Sequence, residues 1–219
     1  MYLILLGAPG SGKGTQAKLL AERFRWLHLS TGDMLREAVS TATELGKKAK
    51  GFMDSGALVP DELVIAMLVE RIGKPDAATG FVLDGFPRNL AQAKALDEAL
   101  HKAGKGIDLA LNITVPDEEL IKRLGGRWIC RSCGAIYHEV YNRPKITGRC
   151  DLCQGELYQR DDDKPETVRN RLDQQRSPAE MIDHYRVSGL LMDVDGLQDV
   201  DKVTKDLIEA IDAKRGVAK

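Results

Sequence analysis

The chain has 219 residues, 43% of them hydrophobic and 30% charged, with a formal net charge of −1. That composition suits one α/β domain, or a core carrying inserted subdomains. The balanced charge offers no field to recruit nucleic acid or anionic lipid, and no apolar run reaches the ~20 residues of a membrane span.

The run Tyr2–Leu6 (YLILL) predicts a buried strand at the very start, with no positive n-region or cleavage site, so a cytosolic location is the default expectation. Directly after it comes GAPGSGKGT, Gly7 to Thr15. Gly7, Gly12 and Lys13 meet the G-x-x-x-x-G-K pattern of a loop whose backbone N–H groups wrap phosphate oxygens. The helix that follows, Gly14–Phe24, points its positive end at the same phosphates. Strand, loop and helix in register imply a nucleoside triphosphate ligand. One position departs from the general motif: the hydroxyl expected after the lysine is replaced by Gly14 and comes one residue later, at Thr15. Direct side-chain ligation of Mg²⁺ from this loop is therefore not expected.

A weaker strand is predicted at Leu27–Leu29, then Ser30-Thr-Gly-Asp33 offers a hydroxyl and an acid to start a helix. Residues 30–60 give helices with no strand between them and read as an insertion. Asp61–Ile72 repeats apolar residues at helical spacing. Phe81–Leu83 is the next strand, closed by Asp84, a carboxylate placed to hold Mg²⁺ through its water shell beside a phosphate loop. Helix Asn89–Ala103, strand Leu109–Thr114 and helix Asp117–Leu124 follow. After residues 127–163 come a helix at Glu166–Tyr185, entered through a capping box at Asp163-Lys-Pro-Glu166, a strand at Leu190–Val194 and a helix at Val200–Ala213, with Lys214–Lys219 frayed. Alternating strands and helices predict a parallel sheet covered on both faces, with ligands beyond the carboxyl ends of its strands.

Residues 127–163 are short-turned and hold all four cysteines, as Cys130-x2-Cys133 and Cys150-x2-Cys153. That is zinc-ribbon spacing, and four thiolates closing a tetrahedron make a structural site. Two disulfides, or iron in place of zinc, are the alternatives. The segment holds six basic and six acidic side chains, which argues against a nucleic-acid ribbon. His28, His101 and His184 have no ligand spacing and read as surface or packing residues; His138, inside the cysteine segment, is not needed as a ligand. Arg36, Arg88, Arg123, Arg127, Arg160 and Arg171 fall near the predicted crevice, where permanent planar charges would offset polyphosphate and the charge of a moving phosphoryl group.

Four motifs together, GAPGSGKGT, STGDMLR (Ser30–Arg36), LDGFPRN (Leu83–Asn89) and RDDD (Arg160–Asp163), resemble the adenylate kinase family over essentially the whole chain. The cysteine insertion is similar to the long-lid form with a zinc-binding lid. The resemblance implies a phosphate-loop nucleoside monophosphate kinase fold: a central parallel sheet flanked by helices with two mobile inserted subdomains. The core would be residues 1–29, 60–126 and 164–219, the AMP-binding insertion 30–59, and the lid 127–163. It implies the reversible reaction Mg·ATP + AMP ⇌ 2 ADP in a cytoplasmic monomer without nucleic-acid or membrane partners. Gly10, Ser11, Gly12, Lys13, Gly14 and Thr15 would hold the ATP phosphates. Arg123 and Arg127 would meet ATP, Ile136 and Tyr137 would border it from the lid, and Gln198 would contact its adenine by backbone. Thr31, Arg36, Ala57, Leu58, Val59, Gly85, Arg88 and Gln92 would hold AMP, with Arg160 and Arg171 bridging to the transferred group. Lys13, Arg88, Arg123, Arg160 and Arg171 would carry the catalysis, with Mg²⁺ at Asp84 and Zn²⁺ on the cysteines. A kinase for UMP, CMP or GMP, a slow nucleotide switch and a nucleic-acid-binding ribbon protein are the competing readings.

Overall fold

The computed structural model describes residues 1–217. Strand β1 (Tyr2–Leu6) lies at the centre of a five-stranded parallel sheet with β2 (Leu27–Ser30), β3 (Phe81–Asp84), β4 (Leu109–Thr114) and β8 (Leu191–Asp195), in the order β2-β3-β1-β4-β8. The continuous apolar run of β1 is explained by burial on both faces. Ile4 and Leu6 pack with Leu29, Phe81, Leu83, Met181 and Tyr185 on one side. Leu3 and Leu5 pack with Ala17, Leu20, Leu111, Leu207 and Ile211 on the other.

The helices are α1 (Lys13–Phe24), α2 (Thr31–Ser40), α3 (Glu44–Asp54), α4 (Asp61–Ile72), α5 (Leu90–Lys102), α6 (Asp117–Gly125), α7 (Pro165–Gln175), α8 (Ala179–Val187) and α9 (Val200–Val217). The start of α2 forms as the sequence predicts, with Ser30 Oγ accepting from the Asp33 N–H at 3.2 Å. Three expectations need correction. The helix predicted over Glu166–Tyr185 is two helices, broken after Gln175 because Pro178 has no N–H to donate and biases the residue before it away from helical backbone. The capping box does not form: Lys164 is the N-cap residue, without a side-chain bond, because Asp163 is taken up by two arginines. The last helix runs on through 214–217 rather than fraying there, while 218–219 lie outside the described residues.

Residues 127–163 fold as a three-stranded antiparallel sheet in the order β6-β5-β7, from β5 (Arg127–Cys130), β6 (Ile136–His138) and β7 (Leu157–Tyr158). Its core is small: Cys130, Tyr137, Cys150 and Leu157, with Ala135 alongside. So few apolar side chains call for a staple, and the cysteines sit where one would act. Among the described residues, no helix is long and apolar enough to cross a membrane.

Candidate active site

The loop between β1 and α1 closes over the carboxyl end of the sheet. Gly7 has φ +136°, and a Cβ there would stand 2.5 Å from the Ile113 carbonyl oxygen, so the loop lies flat on β4 only with glycine. Lys13 Nζ donates to the carbonyls of Gly7 and Ala8, each at 2.7 Å. Burial pushes the Lys13 ammonium down to about 7; Asp84 opposes this, and Arg88, Arg171 and Arg127 add to it. Gly14, the departure from the general motif, has a structural reason: a Cβ there would stand 3.2 Å from Asp84 Oδ2. The smallest residue leaves room for that carboxylate beside the loop.

The crevice over the loop encloses about 890 Å³. It is lined by Gly10, Ser11, Gly12, Lys13, Gly14, Thr15, Asp84, Arg123, Arg127, Ile136, Tyr137, Arg160 and Gln198. A smaller compartment of about 60 Å³ is lined by Thr31, Ala57, Leu58, Val59 and Gln92. Gly85, Arg36, Arg88 and Arg171 line both, so the two spaces meet at a partition of guanidinium groups. All the noncysteine residues singled out from the sequence lie in one or both, although the intervals separating them run to more than a hundred residues.

These cations are held by a sparse set of acceptors. Arg127 Nε and Arg171 Nη1 donate to Asp163 at 2.8 and 2.6 Å, and the Asp163 side chain is fully buried. Arg36 pairs with Asp33 at 2.6 Å, and Arg160 approaches the same carboxylate at 3.6 Å. Arg123 is bound by Glu119 at 2.8 Å. Arg88 donates to the Gly85 carbonyl at 2.8 Å and to Gln175 Oε1 at 2.7 Å. Burial pushes the Arg160 and Arg171 guanidiniums down to about 10, with neighbouring arginines adding to both. Four buried polar side-chain atoms lack a protein partner among the described residues, and three of them, Ser11 Oγ, His28 Nε2 and Arg160 Nε, belong to residues lining the large crevice. A crevice with crowded cations and orphaned polar atoms is built for an anion.

Asp33, Glu119, Gln175, His28 and the ion-pairing role of Asp163 were not found by sequence reasoning. His28 read as surface or packing, yet it lines the crevice, with Nε2 4.0 Å from Asp84 Oδ2. Asp163 carries a visible signal, the RDDD run, but its spacing to Glu166 points to a helix cap rather than to an ion pair. Gln175 carries none: its partners, Arg88 and the Gly56 carbonyl, lie 87 and 119 residues away. His138, by contrast, is occupied locally, with Nδ1 accepting from the Val140 and Tyr141 N–H groups at 3.0 and 3.2 Å.

The four cysteine sulfurs lie within 4.8 Å of one another. The closest, Cys130–Cys153 and Cys133–Cys150, are 3.4 and 3.5 Å apart, and all four are free thiols. A tetrahedral ion with metal–sulfur bonds of ~2.3 Å places its ligands ~3.8 Å apart, so the cluster fits a closed four-sulfur site. Tyr137 lines the crevice but commits its hydroxyl to this cluster, accepting from the Asp151 N–H at 2.7 Å and lying 3.4 Å from Cys150 Sγ. Gln198 commits its Nε2 to the Asp195 carbonyl at 3.1 Å and to Asp206 at 2.9 Å.

The family model described as adenylate kinase matches residues 5–190. An adenylate kinase of Archaeoglobus fulgidus is 57% identical over 212 residues, covering 96% of this chain and 97% of the relative. One from Caldicellulosiruptor bescii is 53% identical over 212 residues, covering 96% and 99%. One from Staphylococcus aureus is 51% identical over 215 residues, covering 97% and 99%. With motifs, sheet order, crevice and full-length likeness in agreement, the chain belongs to the adenylate kinase family.

Proposed function

We propose that the chain catalyses Mg·ATP + AMP ⇌ 2 ADP, with the ATP triphosphate over the β1–α1 loop and AMP in the small compartment. The observation that carries this reading is the guanidinium partition: Arg36, Arg88 and Arg171 border both spaces. A phosphoryl group passing between two nucleotides would cross there. In the transfer, the bond from the γ-phosphorus to the β-bridging oxygen breaks as a bond to an AMP phosphate oxygen forms. That oxygen is already anionic at neutral pH, so no general base is needed. Lys13 and Arg123 would follow charge from the ATP side, while Arg88, Arg160 and Arg171 would compensate it on the equatorial oxygens. Each would trade its present carbonyl or carboxylate partner for phosphate.

Asp84 fits a hydrated Mg²⁺, which would neutralise phosphate charge and orient the triphosphate. The cysteines fit zinc, with a structural role. Residues 127–163 supply Arg127, Arg160, Ile136 and Tyr137 from above, and we read them as a lid. Its polar ties to the core across the crevice include Lys18 Nζ to the Gly134 carbonyl at 3.2 Å and the Arg160–Asp33 pair. As phosphate replaces these contacts the segment would close over the crevice and exclude water. A sheet covered on both faces by its own helices suits a monomer. Purified protein mixed with ATP, AMP and magnesium should form ADP, with UMP, CMP and GMP far poorer acceptors; no ADP above background would end this reading.

A further inference from the structure

Gln92 lines the small compartment in which AMP is proposed to bind. Gln92 is 1% exposed, and both ends of its side-chain amide are already bonded. Oε1 accepts the backbone N–H of Arg88 at 2.7 Å, and Nε2 donates to Asp61 Oδ1 at 2.6 Å. Asp61 is fixed in turn, its Oδ2 accepting from Asn89 Nδ2 at 2.8 Å, while Asn89 Oδ1 accepts the Gln92 N–H at 2.8 Å.

An amide normally turns by half a rotation to suit its partner, exchanging donor for acceptor. Here it does not have that freedom. An ionised carboxylate only accepts and a backbone N–H only donates, so the reversed amide would set acceptor against acceptor and donor against donor. Two hydrogen bonds, one of them to a charged group, oppose the turn. Each amide atom keeps one remaining position, a lone pair on Oε1 and one N–H on Nε2. A purine held by its phosphate among the arginines must match that order. Adenine offers the 6-amino group as donor and N1 as acceptor, while hypoxanthine and guanine offer O6 as acceptor and N1–H as donor.

We infer that Asp61, held by Asn89 and opposed by the Arg88 N–H, is a positioning residue that locks the Gln92 amide in one orientation and thereby sets 6-aminopurine over 6-oxopurine as the acceptor nucleotide. The inference rests on the proposed placement of AMP in the small compartment. Steric exclusion of a 2-amino group is a separate effect, so IMP is the probe that isolates the donor–acceptor order.

Steady-state kcat/KM for AMP and IMP is measured on wild-type protein and on Asp61→Asn, with Asp61→Ser as the alternative should Asp61→Asn not fold by circular dichroism. Wild-type protein should prefer AMP by at least about a hundredfold, and Asp61→Asn should raise the IMP-to-AMP ratio by about tenfold, the share of one charge-assisted hydrogen bond. A merely structural role for Asp61 would lower both values together and leave the ratio where it was, which would overturn the lock. So would wild-type protein that phosphorylates IMP within about tenfold of AMP. Gln92→Leu separates the two levels of failure. If it leaves the KM for AMP unchanged, the placement of AMP itself is wrong and the lock falls with it. If it raises that KM while Asp61→Asn leaves the ratio fixed, the placement survives and only the lock is refuted.

Discussion

The consequence that can be worked furthest concerns Asp163. Its side chain has no exposed surface, and it joins Arg127, at the start of the cysteine-bearing segment, to Arg171 on α7. Asp163→Asn keeps the shape and removes the charge. Removing one partner of a buried ion pair costs ~3–5 kcal/mol. Two features move the expectation to the lower end: Arg171 keeps Asp162 at 3.2 Å, and the Arg127 side chain is 17% exposed. For a chain of this size each kcal/mol shifts Tm by ~2–4 °C, so a loss of about 3 kcal/mol predicts a drop of roughly 6–12 °C in a calorimetric melt at neutral pH. The same melt with a bisubstrate analogue should show less than half that drop, because phosphate then supplies the missing negative charge. Asp161→Asn is the control: that carboxylate is exposed and paired with Lys164, and its loss should leave Tm within about 2 °C. An unchanged Tm for Asp163→Asn, or an equal drop with and without the analogue, would refute the reasoning.

Other outcomes are expected from different parts of the molecule. Stripping the metal with a chelator, or Cys153→Ser, should lower Tm by roughly 5–15 °C while ADP formation persists at low temperature, since metal binding is coupled to folding of the cysteine segment; complete loss of activity at low temperature with the fold intact would contradict a structural metal. Lys13, held down to about 7, is mostly neutral at pH 8 until phosphate arrives and restores its usual affinity for a proton. Titration calorimetry of a bisubstrate analogue at pH 8, in buffers of different ionisation enthalpy, should therefore show uptake of about one proton, absent in Lys13→Met. By the same linkage the unfolded chain binds the extra proton between about 7 and the usual lysine value of 10.5, so the Lys13 contribution to stability rises with pH across that window in the free protein. Gly46→Ala would set a Cβ 2.0 Å from the Ala38 carbonyl oxygen, wedging α3 from α2 at a cost of ~1–3 kcal/mol. The KM for AMP should rise at least severalfold with the KM for ATP near wild type, and an equal rise in both would count against separate compartments.

Much of this protein was legible before any coordinate. GAPGSGKGT states its geometry in its spacing, because a glycine-rich turn between a buried strand and a helix has one use for a lysine at that position. The paired cysteines are equally explicit in spacing, and the fold brings their four sulfurs within 4.8 Å of one another. A continuous apolar run located β1 and helical periodicity located α4, each within the reach of local backbone preference. Glu166–Tyr185 failed where one proline outweighed a stripe of apolar residues.

What only the folded molecule decided is which side chains meet. Asp61 lies 31 residues from Gln92, and Asp163 lies 36 residues from Arg127. Neither interval carries a periodicity: the first spans α4, β3 and the start of α5, the second the whole antiparallel cysteine segment, and in both the separation depends on loop lengths and strand order. The sequence by itself determined a phosphate-binding loop and two cysteine pairs at metal-ribbon spacing. The strand order β2-β3-β1-β4-β8 set the guanidinium groups between two compartments, and burial there, by stripping water from charges that have few partners, makes each remaining carboxylate decisive.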